Sequence, residues 1–224
     1  MGGTSAGPSR SLAICDLRSQ DMVTPPCQVP AATVGASRAR APVEHACRVV
    51  VLADTHLARA HHGAARRRGR VGNPMRGRGL PDAALRRLDA ADVILHAGDL
   101  LEEAVLDELS AMAPTWAVLG NNDRTMVGRL PETRVLELAG VTVAMIHDAG
   151  PSRSRAARLH RRFPAAAVVV FGHSHAPCDE VGLDGQRLLN PGSPTQRRAQ
   201  PHHTLAELDL RDGVVVGHRI VTLD

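Results

Sequence analysis

Val168, Val169, Val170 and Phe171 run directly into Gly172-His173-Ser174-His175. Two histidines at alternate positions of an extended chain project to the same side, so this strand end offers two imidazoles to one place. Four more apolar runs end in polar residues. "VVVLADTH" carries Asp54 and His56, "VILHAGD" carries Asp99, "TWAVLGNND" carries Asn121, Asn122 and Asp123, and "VTVAMIHD" carries His147. Ligands of open α/β sheets bind beyond the carboxyl ends of strands. Asp54, His56, Asp99, Asn121, His147, His173 and His175 are oxygen or imidazole donors without a thiolate, a set suited to divalent transition metals. Seven donors exceed the need of one four-coordinate ion. If one carboxylate bridges, they suffice for two ions about 3.5–4 Å apart, as in two-metal hydrolases. Asp99 is the expected bridge, because its strand should lie between the others.

Each residue has an ordinary reading when taken alone: Asp54 caps a turn, His56 sits on the surface, His173 and His175 form a polar strand end. Those readings together require five independent accidents at five strand ends. His96, before "AGD", reads as a packed residue supporting the site rather than as a ligand. His45, His160, His202, His203 and His218 read as surface or structural. The glycines of "GD", "GNND" and "GHSH" let the backbone turn sharply.

The elements that must position these donors follow from the pattern of apolar residues. Hydrophobic residues make up 43% of the 224, enough for a sizeable core. Aromatics are only Trp116, Phe163 and Phe171, so the core must be aliphatic and no base-stacking platform for single-stranded nucleic acid is present. The formal net charge of +4 is compatible with anionic substrates. Cys15, Cys27, Cys47 and Cys178 form no close pair, which reads as a reduced, cytoplasmic protein. No apolar run approaches the roughly 20 residues of a membrane span, so no membrane partner is expected.

Residues 1–46, rich in Ala, Ser, Pro, Gly and Thr, read as a disordered tail, and residues 47–224 as one domain. Strand "CRVVVLADTH" leads into a long basic loop ending near Gly79, read as a solvated segment. "PDAALRRLDAAD" reads as a helix with Pro81 and Asp82 in its first turn, and "LEEAVLDELSAM" as a second. "RVLELAGVTVAMIHD" reads as a hairpin turned at Ala139-Gly140, "SRSRAARLHRRF" as a helix, and the rest as hairpins turned at Asp184-Gly185 and Asp212-Gly213. The first half is thus βαβαβ and the second mostly antiparallel. The fold class is α/β: two mixed β-sheets packed as a sandwich flanked by helices.

The order "DTH", "GD", "GNND", "IHD", "GHSH" resembles the calcineurin-like metallophosphoesterase superfamily, and within it the small single-domain bacterial and archaeal phosphodiesterases. The likeness spans about residues 47–224 and includes "NPGSPTQRR" after the last motif. It implies the αββα metallophosphoesterase fold. It also implies a first ion held by Asp54, His56, Asp99 and His175, and a second held by Asp99, Asn121, His147 and His173. The implied activity is hydrolysis of a small phosphate ester, a diester before a monoester, by in-line attack of a water or hydroxide that the two ions share. Manganese is the expected metal, with iron, zinc, cobalt or nickel as alternatives. Nucleic acid enters only as a substrate. A retromer scaffold subunit has the same fold with a degraded metal site; all seven positions are filled here.

One position departs from the resemblance. Many superfamily members have His after the Asn of the third motif, and the small diesterases often have Cys. This chain has Asn122, which with Asp123 is expected to act in catalysis beside the metals, but an amide is no proton donor near neutral pH. His61 and His62 of the long loop are the candidates to replace the acid. The loop reads as mobile, so the expectation is that the place stays empty.

Overall fold

Apolar side chains alternate along the first strand, β1 (Ala46–Leu52). Val49 and Val51 enter one buried cluster, while Val50 and Leu52 enter another. A strand buried on both faces requires a layer on each side. In the computed structural model, which describes residues 46–57 and 79–224, those layers are helices on one face and a second sheet on the other. The expected tail (except Ala46), His45, His61, His62 and most of the long basic loop lie outside the described residues.

The first sheet contains β1, β2 (Val93–His96), β3 (Thr115–Ala117), β9 (Thr204–Arg211) and β10 (Val214–Thr222), in the order β10-β9-β1-β2-β3. Its β1, β2 and β3 are parallel, and β9 and β10 continue it antiparallel. The strand before Asp99 therefore lies between those before Asp54 and Asn121, as expected. The second sheet has β4 (Thr133–Leu138), β5 (Val141–Ile146), β6 (Val168–Val170), β7 (Cys178–Val181) and β8 (Arg187–Asn190), in the order β4-β5-β6-β8-β7. Val49, Val51 and Leu95 of the first sheet meet Val143, Met145, Val168 and Val170 of the second. Helices α1 (Asp82–Leu88) and α2 (Glu103–Ser110) cover the outer face of the first sheet with Leu85, Leu88, Val105 and Leu109. Helix α3 (Arg155–Arg162) covers the second through Leu159, against Val169, Phe171 and Leu188.

The two mixed sheets and flanking helices match the sequence reading. The second half departs from it in one respect: β5, β6 and β8 are parallel. For β5 and β6 the reason is α3, whose helical crossover returns the chain to the start of β6; for β6 and β8 it is that β7 lies at the sheet edge, so that its antiparallel partner β8 runs back between β7 and β6. Only β4–β5 and β7–β8 are antiparallel within that sheet.

The hairpin turns fall where expected. Ala139-Gly140, Asp184-Gly185 and Asp212-Gly213 all have positive φ at both central residues, the geometry that matches strand twist. The first and third turns, one from each sheet, meet through a Gly213 N–H to Ala139 carbonyl hydrogen bond of 2.7 Å. This clasp ties the sheets at the end opposite the carboxyl ends of β1 and β5. Among the described residues no helix is long and apolar enough to cross a membrane.

Candidate metal centre

The carboxyl ends of β1, β2, β3, β5 and β6 open at one end of the sandwich and bring all seven predicted donors there. Most of these donors leave the strand by a left-handed residue: φ is +53° at Asp54, +43° at His56, +63° at Asp99, +70° at His173 and +58° at His175. Asp and His tolerate this region better than most side chains, but it is strained for any L-residue and clusters at functional sites. His173 and His175 are therefore not alternate residues of a strand. Strand β6 stops at Val170, and two left-handed residues aim the rings. Gly98 and Gly120 let the loops close: a Cβ at Gly120 would stand 2.2 Å from the Asp99 amide nitrogen, and one at Gly98 2.6 Å from His147 Nδ1.

The donors form two adjoining groups. On one side, Nε2 of His175 lies 3.2 Å from His56 Nε2 and 3.5 Å from Asp54 Oδ1. On the other, Asn121 Oδ1 lies 3.0 Å from both His147 Nε2 and His173 Nδ1. Asp99 stands between, Oδ2 3.5 Å from His56 Nε2 and Oδ1 3.6 Å from His147 Nε2. Asp54 is shared as well, since its oxygens fall within 4.8 Å of ligand atoms of His56 and His175 and also of Asp99 and His147.

These contacts lack protons. His147 donates Nδ1–H to the Ala97 carbonyl at 2.7 Å, and in that tautomer its Nε2 faces Asn121 Oδ1 as one acceptor against another. His175 likewise donates Nδ1–H to the Gln196 carbonyl, which turns a bare Nε2 toward His56 and Asp54. Asp54 is fully buried, and neither oxygen has a hydrogen-bond partner; the His173 amide favours its ionised form without reaching hydrogen-bond geometry. Burial first, and then the neighbouring Asp99, push its pKa up to about 8. Burial holds His56 and His175 below the usual imidazole range. Burial opposes the charge on Asp99, but two hydrogen bonds from Asn122 together with the neighbouring His147 and His56 outweigh it and leave the group more acidic than usual. Lone pairs converging on an orphaned buried carboxylate fit a divalent cation, because a buried charge persists only when paired.

Residues 47–213 match the calcineurin-like phosphoesterase superfamily domain. The chain belongs to that superfamily. It is 33% identical over 152 residues to a "Probable metallophosphoesterase" of Methanothermobacter thermautotrophicus, covering 66% of this chain and 77% of the relative. The solution structure of Thermotoga maritima protein TM1076 is similar with a TM-score of 0.56 and 29% identity, over 79% of this chain and 99% of that one. Vacuolar protein sorting 29 of Cryptosporidium parvum has a TM-score of 0.58, covering 79% and 96% of the two chains; at 16% identity it shows the fold alone. Family and donor set together support a metal-dependent phosphoesterase, a hydrolase that binds divalent metal.

Other residues of this phosphoesterase hold the donors in place. Asp123, expected to act in catalysis, is buried and turned to the backbone. Its carboxylate accepts the amides of Asp99 and Gly120 on Oδ2 and of Leu101 on Oδ1, each at 2.8 Å. Asp123→Ala is expected to leave three buried or half-buried amides unpaired, at about 1–3 kcal/mol each. Urea titration should show at least about 3 kcal/mol lost, and a loss under about 1 kcal/mol would remove the anchoring role. Asn122 clamps Asp99, its backbone N–H on Oδ1 at 2.8 Å and its Nδ2 on Oδ2 at 2.6 Å. His96 is fully buried and bonds Thr55 Oγ1 at 3.0 Å, between the donors Asp54 and His56. This agrees with its reading as a support. The sequence reading missed the part played by residues 193–196. Ser193 Oγ donates to the Asp54 carbonyl at 2.8 Å, Thr195 Oγ1 to the Thr55 carbonyl at 2.6 Å, and the Gln196 carbonyl orients His175. The available signal was the polar, acid-free stretch "PGSPTQRR" between two strands.

Proposed function

We infer that this chain is a phosphodiesterase with a two-ion centre, His56, His175 and Asp54 serving one ion and Asn121, His147 and His173 the other. The observation that carries the reading is Asp54: a fully buried carboxylate without a partner, facing neutral imidazoles and a second carboxylate. Asp99 is assigned as the bridge, because its two oxygens face opposite groups. Bound divalent ions supply Lewis acidity and bring the pKa of a water toward about 7. The chain's own residues do the rest. Ala97 and Gln196 fix the tautomers of His147 and His175, Asn122 orients Asp99, and Asp123 holds the loops that carry Asp99 and Asn121. The similarity to a probable metallophosphoesterase favours the enzyme over a binding scaffold of this fold. The free thiol of Cys178 accords with a cytoplasmic setting.

Manganese is the metal we assign. The donors are oxygen and imidazole, and affinity order alone does not favour manganese, so availability selects it. Protein stripped with a chelator is expected to lose hydrolysis of bis(p-nitrophenyl) phosphate and to regain most with manganese. Full turnover in excess chelator, with no metal found by elemental analysis, would sink the reading.

A further inference from the structure

Residues 191–203 join β8 of the second sheet to β9 of the first and cross the open end of the sandwich beside the donors. Between Asp184 and Glu207 the chain has no acidic residue. The segment is anchored to the site by Ser193 and Thr195 on the Asp54 and Thr55 carbonyls and by Gln196 on His175. Its other basic groups are engaged. Arg197 donates to the Gln200 carbonyl at 2.5 Å, and His202 and His203 share the Asp224 carboxylate at 3.2 and 2.8 Å. Arg198 differs. It is exposed, two residues beyond the carbonyl that orients His175, and its φ of +52° turns the chain sharply there. Among the described residues no carboxylate forms an ion pair with it. The Gln196 carbonyl on His175 sets this part of the segment on the Asp54–His56–His175 side of the centre.

A guanidinium with no carboxylate partner among the described residues, on the segment that borders a centre of oxygen and imidazole donors, matches the chemistry of a phosphoryl group. Its planar fork fits two phosphate oxygens, and charge on non-bridging oxygens is where a fixed cation counts most. We propose that Arg198 is a substrate-binding residue, its guanidinium taking a non-bridging phosphoryl oxygen on the Asp54–His56–His175 side of the centre. This rests on the phosphoesterase reading above and adds to it a second, non-metal contact to the phosphoryl group, supplied by the segment that crosses between the sheets.

The test compares wild type, Arg198→Ala, Arg198→Lys and Arg197→Ala, each loaded with manganese and checked for metal content and Tm. For bis(p-nitrophenyl) phosphate, Arg198→Ala is expected to lose about 10²-fold in kcat/KM, the scale of one deleted oxyanion donor. Lysine should restore part of the loss, and so should added guanidinium ion with the alanine variant. Arg197→Ala should stay near wild type. Calorimetric titration with orthophosphate should show at least about tenfold weaker binding by Arg198→Ala, as expected for one lost charge-assisted contact. Unchanged kcat/KM in Arg198→Ala overturns the proposal and leaves the phosphoesterase reading standing. A loss that tracks lost metal and that guanidinium does not rescue makes Arg198 structural and also overturns it. If wild type hydrolyses no phosphate ester, the phosphoesterase reading falls, and orthophosphate alone decides on Arg198. A tenfold difference between wild type and Arg198→Ala then supports the contact, and equal affinity or binding by neither overturns it.

Discussion

Asp54→Asn is expected to bind no metal at its site, to hydrolyse no ester, and yet to melt above metal-free wild type at pH 8. In the wild type a carboxylate with no hydrogen-bond partner is held wholly out of water, beside a second carboxylate, with a pKa near 8. Without a cation that arrangement destabilises the fold; a bound cation would supply the missing partner. The amide of Asn has the same shape and no charge, and it can donate to the bare Nε2 of His175. Activity should fall beyond about 10³-fold, the upper range for deleting one stabilising donor. Stability should move the other way, the trade expected where a site is strained for function.

The pH dependence identifies the cause. Asp54 has its pKa raised from 3.8 to about 8 on folding. Across that window the folded protein keeps a proton that the unfolded chain releases. Stability of the metal-free wild type therefore falls as pH rises through it. His56, His96 and His175 have lowered pKa values, chiefly through burial. They act oppositely, costing stability as pH drops below the ordinary imidazole value of 6.5. Asp54→Asn removes only the first effect. The Tm difference between chelated variant and chelated wild type should thus be small at pH 5 and large at pH 8. A recovery of about 2 kcal/mol corresponds to roughly 4–8 °C for a domain of this size. Manganese binding by wild type at pH 7 should in turn release about one proton, seen by calorimetry in buffers of different ionisation enthalpy. An equal Tm difference at both pH values, or a destabilised variant, would remove Asp54 from this role.

That these seven residues gather at one end was legible because each follows an apolar run, and such runs end where a parallel sheet opens to ligands. The sandwich was legible from β1, β2 and β6, whose continuous apolar sequence demands cover on both faces. The parallel β5–β6–β8 core was misread because the hairpin turns are strong local signals, whereas the β5–β6 pairing follows from the crossover helix α3 and the β6–β8 pairing from β7 taking the sheet edge, both non-local consequences. The role of Asp123 was hidden for a different reason. A carboxylate that anchors three amides and one that meets a substrate look alike in "GNND", and only the partners of its oxygens separate them. The left-handed φ values of Asp54, His56, Asp99, His173 and His175 leave no mark in residue type, because Asp and His serve equally in strands and turns. The same limit hid the segment 193–196, whose part lies in two hydroxyls that reach carbonyls about 140 positions away and one carbonyl that holds His175.

Hydrolysis by this protein is expected to depend steeply on the leaving group, with aryl diesters cleaved far faster than alkyl ones. The residue after Asn121 is where the resemblance leads one to expect an ionisable proton donor, and here it is Asn122. Its Nδ2–H is occupied by Asp99 Oδ2 at 2.6 Å, and an amide does not protonate a departing alkoxide near neutral pH. General acid catalysis is typically worth about 10²–10⁴-fold. An aryloxide departs without that help, whereas an alkoxide needs it, so the deficit should fall on poor leaving groups. Rates for a graded series of diesters should therefore decline sharply as leaving-group pKa rises. Asn122→His should flatten the decline by raising the alkyl rates more than the aryl ones, provided metal content is unchanged, since an imidazole can both hold Asp99 and carry a proton. His61→Ala and His62→Ala test the remaining source of a proton, as both residues lie outside the described part of the chain. If wild type shows a flat dependence with chemistry rate-limiting, and either substitution makes it steep, the acid is not missing at all: the loop supplies it, and Asn122 serves only to hold Asp99.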